Sequence, residues 1–135
     1  MIRINHIGVV VKSIAKILPI YLEDYGYKQI SGVLKIENQN VRVVLLNCDN
    51  DVNVELIEPI TDESPIASAL KRGGGINHIC YETDEFDALY KKFCSKVVVH
   101  PKPAPEEYFD SGRTFFVFRK GELVEFLEKK ERAAK

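Results

Sequence analysis

Apolar positions along the chain change period in the same order twice. Residues 2–11 (IRINHIGVVV) are apolar and largely β-branched on both faces, as in a strand covered on both sides. Ser13 stands as cap before a helical run through Tyr25, with Gly26 placed to stop it. Pro19 falls inside that run, so the helix either kinks there or begins its regular part near Leu18. Three strand-like runs follow at 27–36, 40–47 and 52–58, separated by the turn-forming Glu37-Asn38-Gln39 and Asp49-Asn50-Asp51. A short helix over 64–71, with Ser64 as cap and Pro65 in its first turn, closes at Gly73-Gly74-Gly75. The order then recurs as a strand at 75–83, a helix at 84–94, and strands at 96–100, 114–119 and 122–128. Each half reads βαβββ. The organisation predicted is one domain, with module one at 1–60, a linker at 61–74 and module two at 75–135.

The repetition extends to identity. Ile4-Asn5-His6-Ile7 recurs as Ile76-Asn77-His78-Ile79, and each copy is followed by a Glu between apolar strand residues, Val54-Glu55-Leu56 and Val124-Glu125-Phe126. The histidines lie 72 residues apart (6 and 78) and the glutamates 70 apart (55 and 125). Side chains alternate along a strand, so Asn5, Ile7, Val9 and Val11 form the face that packs beneath a helix, leaving His6 on the other. The same parity sets Glu55 opposite Val54 and Leu56, and Glu125 opposite Val124 and Phe126. Two halves packed symmetrically would thus bring together two imidazoles and two carboxylates, a donor set suited to Co, Ni or Zn, with Mn or Fe(II) also accommodated. A lone strand histidine is most often a hydrogen-bonded structural residue; the paired repeat is what favours a ligand. Glu58 and Glu128 have the opposite parity and read as solvated or rim residues. His100, next to Pro101, has no repeat partner and reads as a surface residue.

Composition narrows the partners. With 135 residues, 45% hydrophobic and 29% charged, the chain has apolar material for a core, and its formal net charge of −1 offers no basic field for nucleic acid or an acidic membrane. The dense charge run at 128–132 reads as a solvated tail. Gly73-Gly74-Gly75 lacks the Lys-Ser/Thr ending of a phosphate-binding loop and precedes a strand, so it reads as a flexible linker. Cys48, Cys80 and Cys94 are odd in number and lack metal-type spacing, as expected of reduced thiols. No charged-then-apolar leader and no membrane-length apolar run is evident, which gives a cytoplasmic expectation.

The duplicated βαβββ plan with His, Glu, His, Glu at these strand positions resembles the vicinal-oxygen-chelate superfamily, which includes glyoxalase I, extradiol dioxygenases, bleomycin-resistance proteins and methylmalonyl-CoA epimerase. Local likeness to the epimerases is carried by Val54-Glu55-Leu56-Ile57-Glu58-Pro59, by Asp62-Glu63-Ser64-Pro65-Ile66-Ala67 and by Gly75-Ile76-Asn77-His78-Ile79-Cys80-Tyr81-Glu82. The resemblance implies an α+β fold: two tandem βαβββ modules form a curled eight-stranded mixed sheet, an incomplete barrel, around a metal site, with the helices outside. It implies His6, Glu55, His78 and Glu125 as ligands of a divalent metal ion, and Glu125 as ligand and base together. It also implies a homodimer and a small-molecule substrate, either an acyl-CoA thioester or a thiol hemithioacetal. Proton abstraction beside a metal-polarised carbonyl is the step expected. The leading expectation is an epimerase of methylmalonyl-CoA type. The alternatives are a glyoxalase I-like (lactoylglutathione) lyase acting on a methylglyoxal–thiol hemithioacetal, or a non-catalytic small-molecule-binding protein. Some epimerases of this family carry a second acidic residue on the third strand of the first half. Val43 fills that place here, and the segment 103–112 departs from the Gly-rich loop of the epimerases.

Overall fold

The computed structural model of the protein describes residues 2–104 and 112–129. Its elements run β1 (Ile2–Val10), α1 (Ile14–Pro19), β2 (Lys28–Gln29), β3 (Leu34–Ile36), β4 (Val41–Asn47), β5 (Asn53–Pro59), α2 (Ala67–Lys71), β6 (Gly75–Thr83), α3 (Phe86–Phe93), β7 (Val97–Pro103), β8 (Arg113–Arg119) and β9 (Glu122–Glu128). The chain divides into two compact units, His6–Asn77 in one and the described parts of Met1–Asn5 and His78–Lys135 in the other. Both boundaries fall inside strands, β1 and β6.

In the His6–Asn77 unit the strands are ordered β2-β4-β5-β1, with β3 also on β4; β5 runs parallel to β1 and antiparallel to β4. The core is aliphatic: Ile14 of α1 packs with Val44, Leu46, Val54 and Leu56, joined by Val9, Val11, Ile17 and Leu18. The parity expected of β1 and β5 is therefore observed, since the residues beneath α1 alternate with His6 and Glu55. The run at 27–36 forms two short strands where one was expected, making nine in all among the described residues. Ser31 is the interruption. Its hydroxyl accepts from the Leu45 amide at 2.9 Å, supplying a side-chain bond where the ladder would need a backbone carbonyl.

The first helix also differs from its pattern. Ser13 caps it, accepting from the Lys16 amide at 3.3 Å, but the α-helix ends at Pro19 and continues as a π-turn over Ile20–Asp24. Pro19 has no N–H for an i→i−4 bond and its ring crowds the preceding turn. The coil widens, and the Tyr25 amide reaches the Ile20 carbonyl five residues back at 3.2 Å. Gly26 ends it at φ +77°. The helix expected at 64–71 begins only at Ala67, because Ser64 instead closes a turn, its carbonyl accepting from Ala67 and its hydroxyl from Ile66. Gly74 has a fixed conformation, with φ +70° and a position at which an added Cβ would lie 2.7 Å from the Val10 carbonyl oxygen. The triple glycine is a built turn more than a flexible linker.

In the other unit the order is β6-β9-β8-β7, with β6 and β9 parallel and the β9-β8-β7 pairs antiparallel. Its core is aromatic: Phe86 and Leu89 of α3 pack on Phe115, Val117 and Phe126, with Tyr81, Tyr90 and Phe93 around them. Phe86 meets Phe115 edge-on at 5.0 Å, and Phe93 stacks on Phe126 at 5.6 Å. Val124 and Phe126 face this core, so Glu125 points to the other side, as expected.

Glu58 and Glu128 are corrected from solvated or rim residues to structural clamps. Glu58 Oε1 accepts from the Ile14 amide at the start of α1 (2.8 Å) and Oε2 from Arg42 Nη1 (3.2 Å). Glu128 takes Arg113 through its backbone amide, Nε and Nη2, the last at 2.7 Å. Arg113 also bonds Asp87 and lies 4.5 Å above the Phe86 ring. Both acids lie on the helix side of their strands, where free helix-start amides and arginines need acceptors. His100 is exposed as expected, its Nδ1 2.9 Å from the Tyr90 hydroxyl. Of the charge run at 128–132, residues 130–132 lie outside the described residues, as do 105–111 of the segment 103–112. No helix among the described residues is long and apolar enough to cross a membrane.

Candidate functional site

Within each unit the structure brings one predicted histidine to one predicted glutamate. In the His6–Asn77 unit, parallel β1 and β5 place Gly8 opposite Glu55, two residues beyond His6. His6 is fully buried, with Nε2 3.8 Å from Glu55 Oε1. Across the antiparallel pair, Leu45 stands opposite Glu55 and Val43 opposite Ile57, so the neighbours of Glu55 on that face of β4 are aliphatic.

The second unit repeats this register. Parallel β6 and β9 place Cys80 opposite Glu125, two residues beyond His78. His78 Nε2 lies 3.2 Å from Glu125 Oε1, and both side chains are buried. What surrounds the pair is different. Thr114, the counterpart of Val43 by register, donates its hydroxyl to Glu125 Oε2 at 2.6 Å, while Phe116, opposite Glu125, meets the His78 ring edge-on at 5.4 Å. The two carboxylate oxygens are thus differentiated, Oε2 held by a short charge-assisted hydrogen bond and Oε1 turned to the imidazole.

The donor chemistry fits a divalent ion. Two donor atoms each about 2.1 Å from a shared metal stand about 3.0–3.4 Å apart. The 3.2 Å separation of His78 and Glu125 is close to that spacing, and the 3.8 Å separation of His6 and Glu55 needs only a small rotation to reach it. Each pair offers an imidazole Nε2 and a carboxylate oxygen, all buried except the partly buried Glu55, a nitrogen–oxygen set of the borderline kind that Zn, Co, Ni and Fe(II) accept.

Two residues near Glu125 were missed in the sequence. Thr114 carried a readable signal: it is a polar residue in a slot that the first half fills with valine. Lys102, on β7, pairs with Thr114 and so stands on the same face of the sheet. Burial pulls its ammonium below the ordinary lysine range, and attraction to Glu125 opposes that shift. Its strand is bulged between Val99 and Lys102, so its facing could not be counted from the repeat.

Comparison with known proteins agrees with this architecture. The profile of the Glyoxalase/Bleomycin resistance protein/Dioxygenase superfamily matches residues 5–116. The mitochondrial methylmalonyl-CoA epimerase of Dictyostelium discoideum is 29% identical over 132 residues, covering 94% of this chain and 78% of that protein. The mitochondrial methylmalonyl-CoA epimerase of Homo sapiens is 34% identical over 113 residues, covering 75% and 63%, so this chain spans somewhat under two thirds of the human protein. Among solved structures, a hypothetical protein from Bacillus halodurans C-125 superposes with a TM-score of 0.84 at 29% identity over 99% of each chain. A methylmalonyl-CoA epimerase in complex with methylmalonyl-CoA and NH4+ superposes at 0.81 with 24% identity over 94% of each, a likeness of fold. With its matched span running from the first repeat strand into β8, the chain belongs to the glyoxalase/bleomycin resistance protein/dioxygenase superfamily.

Proposed function

We propose that the chain is a metal-dependent epimerase acting on the α-carbon of a 2-substituted malonyl-CoA thioester, methylmalonyl-CoA or a relative. The observation that carries this reading is the buried His78–Glu125 pair with Thr114 on its second oxygen, matched in register by His6–Glu55 in the other unit. The similarity to methylmalonyl-CoA epimerases over most of the chain supports the substrate class. His6, Glu55, His78 and Glu125 would hold the ion, which when bound supplies positive charge to a carbonyl oxygen and so acidifies the neighbouring C–H. Glu125 accepts the α-proton. Thr114 holds its Oε2, which fixes the carboxylate's orientation for that role. Burial of the pair keeps bulk water from competing for the proton.

A second reading is favoured by one observation. Val43 is buried beside Leu45 and Ile57, where a second acid would serve the opposite face of the carbon. A single base suits a glyoxalase I-like lyase, which moves one proton between adjacent carbons of a hemithioacetal. The test is α-proton exchange in deuterated water, followed by NMR, on protein loaded with Co(II), Ni(II) or Zn(II). Exchange with methylmalonyl-CoA and none with methylglyoxal plus glutathione supports the epimerase. The reverse supports the lyase, and exchange with neither would leave the superfamily's binding proteins as the better comparison.

A further inference from the structure

We propose that Lys102 recognises the free carboxylate of the substrate, making it the residue that selects a malonyl-type thioester over a neutral acyl group; this rests on the epimerase reading above. Register pairs Lys102 with Thr114, whose hydroxyl holds Glu125, so an ammonium, a hydroxyl and the base share one face of the β9-β8-β7 strands. Lys102 is half-buried, although lysine is ordinarily among the most exposed residues. Among the described residues it closes no ion pair within 4 Å. Burial also lowers its proton affinity, so the site bears a cost to keep a cation there.

An anion arriving beside Lys102 relieves that cost. A 2-substituted malonyl thioester brings one, because its reacting carbon bears a thioester carbonyl on one side and a carboxylate on the other. Two negative groups must then be kept apart, the incoming carboxylate and Glu125, and a cation on that face screens them from each other. The hemithioacetal of methylglyoxal carries no charge next to its reacting carbon and would bring Lys102 no anion beyond Glu125.

The experiment compares two thioesters that differ by the carboxylate. Binding of methylmalonyl-CoA and propionyl-CoA to Co(II)-loaded protein is measured by calorimetry for wild type, Lys102→Met and Lys102→Arg. Wild type should prefer methylmalonyl-CoA by at least about tenfold, the worth of a charge-assisted hydrogen bond. Lys102→Met should reduce that preference to within about twofold while leaving propionyl-CoA binding unchanged, and Lys102→Arg should restore part of it. An undiminished preference in Lys102→Met overturns the assignment while leaving the epimerase reading intact. Equal loss for both thioesters, with metal content falling too, overturns it in favour of a counter-ion that merely holds Glu125. If wild type binds neither thioester, the epimerase reading fails and the assignment with it.

Discussion

The two units place a histidine and a glutamate by the same parallel-strand register and then surround them with different chemistry. Around Glu55 the opposing strand offers Leu45 and Val43; around Glu125 the corresponding places are Phe116 and Thr114. The residue two beyond the histidine is Gly8 in one unit and Cys80 in the other. Duplication therefore accounts for the matched His–Glu pairs, and divergence for their different surroundings. Across the neighbouring antiparallel strand Glu55 meets aliphatic Leu45 and Val43, whereas Glu125 has one oxygen anchored by Thr114 and a lysine on the same face. A carboxylate that must exchange a proton at one oxygen benefits from having the other fixed. The cores diverged as well, aliphatic beneath α1 and aromatic beneath α3.

Several substitutions would break or sharpen this contrast. The largest stability effect should come from the aromatic core: Phe115→Ala removes a fully buried ring that contacts Phe86, Tyr90 and Phe126, and should cost about 3–5 kcal/mol in denaturant unfolding. Leu46→Ala in the aliphatic unit should cost about 2–5 kcal/mol, towards the lower end if the flexible partly buried neighbours collapse into the gap. Next, His6→Ala and His78→Ala should each weaken Zn(II) or Co(II) binding by at least about 100-fold, measured by chelator competition. Undiminished metal content in both variants would remove the metal from the account.

Smaller effects test the asymmetry itself. Thr114→Val gives Glu125 the environment of Glu55 and should lower kcat by about tenfold, with Thr114→Ser restoring most of it. Val43→Thr, the reciprocal change, should leave turnover within about twofold if Glu55 serves only as a ligand. At the low end, Arg42→Ala and Arg113→Ala should each cost about 1 kcal/mol, since both pairs are partly solvated. Arg113→Ala should cost the more, because Arg113 also bonds Asp87 and covers Phe86.

Much of this was legible before the structure because repetition and strand parity are arithmetic. His6, Glu55, His78 and Glu125 could be set on one side of their strands by counting alternate residues, and the helix-side cores confirm that count. The strand bounds at 75–83 and 122–128 were recovered as read. Elements whose form depends on hydrogen bonds between distant residues were not. Ser31 divides a strand only because the Leu45 amide finds its hydroxyl, and Ser64 forms a turn in place of the expected cap. Glu58 and Glu128 were misread because parity gives the face but not the partners, and here those partners are a helix-start amide and arginines. Lys102 lay beyond a bulge, where parity counting from the repeat loses its reference.

The most direct test of the central claim, that Glu125 is both a ligand and the proton-accepting group, is α-proton exchange into deuterated water by Glu125→Gln, with metal content measured on the same sample. The amide oxygen can still ligate in the place of Oε1, but the amide cannot take up the proton. The account predicts metal content at least half that of wild type and exchange slowed by about a thousandfold or more, within the range that general-base catalysis supplies. Exchange at the wild-type rate with metal retained would contradict it and assign the proton transfer to another group.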